Sequence, residues 1–153
     1  MPPIDAMHLL AGAEAAHSQP MASAAAIHRA LKQEPDNVHV RLAAYRFHFY
    51  LHEYSEASKH AHVLVEMAAR RLNIPTDWRA VRSDDADFTA HEFAPGLFLQ
   101  CLVAIGYCAA RLGRAQLARD AFAKSVELDP TDRFGGGHLL GVIDRAGGLD
   151  DED

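Results

Sequence analysis

The sequence contains ten histidines, whose side chains could bind a metal ion or transfer protons. His48 and His52 are spaced i, i+4 on a predicted helix, and His60 and His62 lie on the next one. Imidazole nitrogens placed in this way could bind Zn²⁺ or Ni²⁺. Because no HExxH or CxxC motif accompanies them, we interpret these side chains as packed or solvated and predict no metal ligands. Metal binding by this histidine-rich segment is kept as the alternative function.

A second group of possible ligands consists of acidic residues and a histidine between residues 84 and 92. Its members are Asp84, Asp85, Asp87, His91 and Glu92. Carboxylate oxygens at this density could hold a hard cation. The spacing of a calcium-binding loop is missing, however, so we interpret the segment as a solvated acidic loop.

Two cysteines, Cys101 and Cys108, could act as nucleophiles if a histidine lay beside them. They lie two helical turns apart in an alanine-rich helix, which is too far for a disulfide. We therefore predict that they are small buried apolar side chains in a reducing, cytoplasmic setting. The glycine run at residues 135–137 has no following Lys-Ser/Thr, so it is not a phosphate loop. The chain is predicted to be no enzyme, with no catalytic residues and no cofactor.

The elements that position these residues are predicted to be helices. The chain has 153 residues, of which 49% are hydrophobic and 28 are alanine. Alanine favours helices and is depleted from strands, so the fold class is predicted to be all-α. The net charge is −6, whereas a nucleic-acid-binding protein is expected to have an excess of basic residues. No apolar stretch is expected to be long enough for a membrane span, and the N-terminus has no basic n-region.

Helix boundaries follow from apolar periodicity, Pro, Gly and capping residues. The predicted helices span about residues 5–17, 20–33, 38–51, 55–72, 95–112, 115–128 and 137–146. Asp77 is expected to cap a short helix that contains Trp78 and Val81. The glycines at 135–137 are expected to form a flexible stretch, and Gly147 with Gly148 is expected to end the last helix.

Residues 97–130 carry small, aromatic and proline residues at spacings typical of a helical repeat. These are Gly106, Tyr107, Gly113, Ala118, Phe122 and the run Glu127-Leu128-Asp129-Pro130. The run resembles the tetratricopeptide repeat (TPR), a helix–turn–helix unit of about 34 residues. The resemblance implies a single domain made of an antiparallel helix-hairpin array, an α-α superhelix.

The repeat frame divides the chain into repeats at about residues 4–37, 38–71 and 99–132. An insertion covers about residues 72–98, a capping half-repeat about 133–149, and an acidic tail 150–153. The second repeat departs from the family pattern, since Tyr45 stands where a small residue is usual and Ala69 where a proline is usual. Trp78, Phe88 and Phe93 are expected to pin the insertion onto the array.

In this family the first helix of each repeat lines a concave groove that binds partner segments. The resemblance implies a partner-binding set of His39, Leu42, Arg46, Phe49, Tyr50, Gln100, Val103, Tyr107 and Arg111. Aromatic and arginine side chains are frequent energetic anchors of protein interfaces. The alternative left open is that the insertion or the last helix covers the groove. The Lys and Asn residues with which some TPR domains clamp a C-terminal carboxylate are missing here.

Together these features predict a non-catalytic protein-interaction module, that is, an adaptor or scaffold, a small chaperone or an assembly factor, in a bacterial-type cytoplasm. The expected partner is another protein or a peptide segment, and neither nucleic acid nor a membrane is expected. Association into a homo-oligomer is left open.

Overall fold

A computed structural model describes residues 20–150, with side-chain environments from Ser23 to Ala146. The described residues form helices and contain no strand, so the predicted all-α class is confirmed. The elements are α1 (Pro20–Gln33), α2 (Val38–Tyr50), α3 (Tyr54–Leu72), a 3₁₀ turn (Trp78–Ala80), α4 (Phe93–Arg111), α5 (Ala115–Leu128) and α6 (Gly136–Asp150). The helix predicted over residues 5–17 lies outside the described residues.

Contacts divide the chain into two compact units, one ending at Val63 and the other beginning at Leu64, within α3. In the first unit, α1 packs on α2 through small and branched apolar side chains. This core contains Ile27, Ala30, Val40, Ala43, Ala44 and Phe47. Alanines at these positions allow close approach of the two helices.

Local hydrogen bonds explain where the helices of the first unit begin and end. The Asn37 side chain caps α2 by accepting from the backbone N–H groups of His39 (2.9 Å) and Val40 (3.3 Å). His52 has a φ of 59°, a left-handed conformation that ends one helix and lets the next begin at Tyr54. The predicted break between these helices is confirmed, and it covers residues 51–53.

In the second unit, α4 packs on α5, and α6 packs on both of these helices. Our expectation that no apolar stretch reaches the length of a membrane span is wrong for α4. Among the described helices, α4 is long and apolar enough to cross a membrane by length and composition, since its only charged residue is Arg111. Most of this segment, 61%, is buried within the structure, which is also what the core helix of a helical unit requires.

Helices α4 and α5 approach closely at Gly106 and Phe122. A Cβ atom added at Gly106 would lie 2.5 Å from the nearest ring carbon of Phe122. Phe122 is fully buried between Ala109 and Ala118. The glycine therefore provides the space in which the phenylalanine ring packs.

The segment that precedes α4 is attached to α4 and α5 by two of the three predicted aromatic residues. Trp78 and Phe88 are buried, and the rings of Phe88 and Phe98 lie 5.6 Å apart, centroid to centroid. Phe93, the third of these residues, is 47% exposed at the first position of α4. Its ring lies 5.4 Å from the guanidinium carbon of Arg71.

Helix α4 begins at Phe93, before the predicted start, with Pro95 in its first turn. Proline is tolerated there because the first backbone N–H groups of a helix have no intrahelical acceptor. The last part of the predicted insertion is therefore helical, and residues 73–92 form the connecting segment, in which Asp77 caps the 3₁₀ turn as predicted.

Two glycines of the run at residues 135–137, Gly136 and Gly137, are closely packed, which corrects our expectation of a flexible stretch. A Cβ atom at Gly136 would lie 2.9 Å from Ser125 Oγ. The Asp132 carboxylate accepts hydrogen bonds from the backbone N–H of Gly137 (2.9 Å) and of His138 (3.3 Å). These contacts start α6. The predicted end of this helix at residues 147–148 is also wrong, since α6 continues to Asp150; glycine costs a helix only about 1 kcal/mol.

Candidate functional site

The five predicted partner-binding residues of the first unit lie along α2 and are called the α2 stripe: His39, Leu42, Arg46, Phe49 and Tyr50. Spacings of three and four residues place them along one side of the helix. His39 is exposed and Tyr50 is 46% exposed, whereas Leu42, Arg46 and Phe49 are half-buried. The α2 stripe is therefore a continuous, partly accessible surface of apolar and cationic side chains.

Five rings surround the end of the α2 stripe and are called the aromatic cluster: Tyr45, Phe49, Tyr50, His52 and Tyr54. The Phe49 ring lies 5.5 Å from Tyr45, 6.5 Å from Tyr50 and 5.7 Å from Tyr54, and Tyr54 stacks on His52 at 5.8 Å. Contacts of this kind fix ring positions across the turn between α2 and α3. The sequence prediction missed Tyr45 and Tyr54 as members. The i, i+4 spacing of Tyr45 and Phe49 was the available signal.

The predicted partner-binding residues of the second unit lie on α4 and are called the α4 stripe: Gln100, Val103, Tyr107 and Arg111. Gln100 and Arg111 are exposed, while Val103 and Tyr107 are half-buried. The two half-buried side chains pack on the core around Phe122, as do three α6 side chains, Leu139, Leu140 and Ile143. Part of the α4 stripe is thus taken up by the core of its own unit. The two stripes lie in different units, and each is described on its own.

The connecting segment 73–92 lies against α5 and the turn before α6. Arg79 forms an ion pair with Asp120 of α5 (2.6 Å), which holds the pKa of that carboxyl below its usual range. Lys124 of α5 donates to the carbonyl oxygen of Val81 (2.9 Å). These polar contacts do not involve the residues of the α4 stripe.

The predicted histidine group is only partly assembled. His48 and His60 stack with ring centroids 5.5 Å apart, whereas His52 stacks on Tyr54 instead. His48 Nδ1 lies 3.1 Å from a Glu53 carboxylate oxygen, and Arg41 Nη1 lies 3.4 Å from His60 Nδ1. Among the described residues, no three His, Cys, Asp or Glu side chains are grouped so that they could hold a metal ion.

His60 makes the first unit sensitive to acid. Burial, reinforced by the positive charges of Arg41 and His48, lowers the pKa of His60 from 6.5 to about 4. The pKa of nearby Glu56 is lowered too, by its hydrogen bond with Lys59. Between pH 6.5 and about 4, His60 is mostly protonated in the unfolded chain and mostly neutral in the folded chain. The stabilisation from neutral His60 is therefore present above pH 6.5 and declines as the pH falls towards 4.

We expect this group to reduce the free energy of unfolding by about 1–2 kcal/mol between pH 7 and pH 4.5, allowing for solvent screening of a half-exposed ring. The measurement is urea denaturation at both pH values for the wild type and for His60→Gln, which cannot titrate. His39→Gln, on an exposed position of α2, is the matched control. Equal pH dependence in wild type and His60→Gln would contradict the assignment.

Both cysteines are buried and unpaired. Burial raises the pKa of the Cys108 thiol to about 11 and that of Cys101 further. The two thiols therefore stay protonated near neutral pH, which agrees with the predicted role as small apolar side chains and gives no thiolate nucleophile.

Comparison with known proteins adds one informative relative. No protein-family model matches the chain, and no solved structure matches it. The chain is similar to an "Uncharacterized 19.8 kDa protein in nifW 5'region" of the bacterium Azotobacter chroococcum mcd 1, with 34% identity over 133 residues. The match covers 86% of this chain and 71% of the relative. The chain therefore belongs to the same protein family as that bacterial 19.8 kDa protein.

Proposed function

We propose that this helical protein is a non-catalytic protein-interaction module, acting as an adaptor, a small chaperone or an assembly factor. The observation that carries the proposal is the α2 stripe, where the 46% exposed Tyr50 adjoins Phe49 and Arg46. Tyr and Arg are enriched among the residues that dominate binding energy at interfaces. The rings of Phe49 and Tyr50 are already positioned by their contacts within the aromatic cluster, so little side-chain freedom is lost on binding.

We also propose a TPR-like arrangement of the helices. It is supported by the sequential packing of α4, α5 and α6 and by the close approach of Gly106 and Phe122, two of the residues that carry the resemblance. In such an array each hairpin buries an apolar face against the next and leaves one helix face for binding. The α2 stripe and the exposed Gln100 and Arg111 would be those faces.

A cytoplasmic setting completes the proposal. The free, buried thiols of Cys101 and Cys108 suit a reducing compartment. The expected partner is a protein or peptide segment, since the net charge of −6 disfavours nucleic acid. Metal binding by the histidines, the alternative function, is less well supported, because His48 lies against Glu53 and His60 against Arg41.

Affinity capture from an extract of the source cells, with identification by mass spectrometry, tests the proposal. The wild-type chain is expected to retain a reproducible partner, and Arg46→Glu and Tyr50→Ala to lower its recovery by at least about tenfold. Arg29→Glu, an exposed position on α1 with the same charge change, is the matched control and should bind like the wild type. Circular dichroism confirms folding of each variant. A partner retained equally by the wild type, Arg46→Glu and Tyr50→Ala would show that the α2 stripe is not the binding surface.

A further inference from the structure

Arg46 differs from the other half-buried arginines of the described residues, which are Arg41, Arg119 and Arg133. Arg119 lies 3.1 Å from an Asp144 oxygen, and Arg133 lies 3.6 Å from an Asp129 oxygen. Arg41 donates to the Pro35 carbonyl oxygen at 2.9 Å. Within the described part of the chain, Arg46 forms no hydrogen bond and no ion pair.

Helix α2 has no acidic side chain that could pair with Arg46. The α2 sequence, VHVRLAAYRFHFY, contains no acidic residue. Leu42 lies one turn before Arg46, and Phe49 and Tyr50 lie one turn after it. A guanidinium that is partly withdrawn from water between apolar and aromatic side chains has a strong electrostatic preference for a carboxylate, which can accept two parallel N–H bonds.

We propose that Arg46 and the aromatic cluster together recognise a partner segment in which an Asp or Glu stands beside an aromatic or large aliphatic residue. The carboxylate would pair with the Arg46 guanidinium while the neighbouring apolar side chain packs on Phe49 and Tyr50. This inference rests on the proposed function and names the chemistry of its partner. The charges of the two partners are complementary, because the charged side chains of α2 are all cationic and the partner segment carries a carboxylate.

The test is selection of random twelve-residue peptides displayed on phage against the immobilised full chain. Four proteins are compared: the wild type, Arg46→Glu, Tyr50→Ala and the charge-matched control Arg29→Glu. The wild type and Arg29→Glu should enrich peptides that carry Asp or Glu next to Phe, Tyr, Trp or Leu. Arg46→Glu should reduce recovery of those peptides by at least about tenfold and favour Lys or Arg at the acidic position.

Affinity of one selected peptide and its Glu→Gln form supplies a second readout. The Gln form should bind the wild type at least about tenfold more weakly and should bind Arg46→Gln no worse than the parent peptide does. The wild type could select peptides that need Tyr50 for binding but need neither Arg46 nor a peptide carboxylate. In that case the proposed recognition of an acidic residue is wrong, and the proposed function as an interaction module is retained. If the wild type enriches no shared sequence over the uncoated support, the α2 stripe does not bind peptide segments and both proposals fail.

Discussion

Replacing Asp129 by alanine is expected to lower the free energy of unfolding by about 3 kcal/mol. Asp129 is 2% exposed, and its carboxylate accepts from the backbone N–H groups of Thr131 (3.2 Å) and Arg133 (3.3 Å) and from the Thr131 hydroxyl. Alanine would leave these partly buried donors without their carboxylate acceptor. It would also leave the half-buried Arg133 guanidinium without its counter-charge.

The effect should extend beyond the turn because Arg133 also holds the connecting segment. Its guanidinium donates to the carbonyl oxygens of Phe88 (2.8 Å) and Ala90 (3.1 Å). Without Asp129, the guanidinium loses the carboxylate that lies 3.6 Å from its Nε atom. The loss of one carboxylate should therefore loosen residues 88–90 together with the turn before α6.

Urea denaturation followed by circular dichroism measures this effect. Asp144→Ala is the matched control, since Asp144 is an exposed acid paired with Arg119, and it should cost less than about 1 kcal/mol. Asp129→Asn keeps the shape but removes the charge, so we expect an intermediate loss. A cost for Asp129→Ala as small as that for Asp144→Ala would show that the buried network contributes little to stability.

Phe122→Ala is the second change with a large expected effect, a loss of about 3–5 kcal/mol. The Phe122 ring is fully buried and fills the space that Gly106 leaves between α4 and α5. Truncation removes the ring and leaves a cavity that two packed helices can only partly close. The readout is the urea midpoint at unchanged m-value.

Gly106→Ala tests the same contact from the opposite side. Alanine in a helix normally stabilises relative to glycine by about 1 kcal/mol, but here its Cβ would overlap the Phe122 ring, so we expect a net loss of about 1–2 kcal/mol. Gly141→Ala in α6 is the matched control. Its Cβ would meet only the flexible end of Arg145, at 3.4 Å, so this change should stabilise. Stabilisation by both alanines would contradict the close packing. Gly106→Ala should cost less in the Phe122→Leu background, where the ring is gone.

Much of the fold was predictable from local signals. The predicted helices over 20–33 and 115–128 agree with α1 and α5, because proline, Gly113 or Asp-Pro lies next to each end. Burial of Trp78 and Phe88 followed from their size and from the surrounding polar residues. Such features depend on residues adjacent in the chain, so one sequence suffices to read them.

Features that depend on distant residues were harder to predict. Phe93 has the same apolar character as Phe88, yet Phe88 is buried beside the ring of Phe98, whereas Phe93 is 47% exposed beside Arg71. The glycine run before α6 looked flexible because Ser125, which packs against Gly136, lies on another helix. The histidine spacing left a metal site open as the alternative, and the structure stacks His52 on Tyr54, away from His48 and His60.

The amino-acid sequence alone determined the all-α class, most helix boundaries, the inert burial of the cysteines and the position of the α2 stripe on one helix face. Helical periodicity and capping are local, and one side of a helix can be counted along the chain. Only the tertiary structure decided that Val103 and Tyr107 pack partly into their own core, that Asp129 and Arg133 hold the connecting segment, and that Arg46 is the half-buried arginine with no partner among the described residues. Those outcomes depend on which side chains of different helices come into contact, and the amino-acid sequence alone does not specify these contacts.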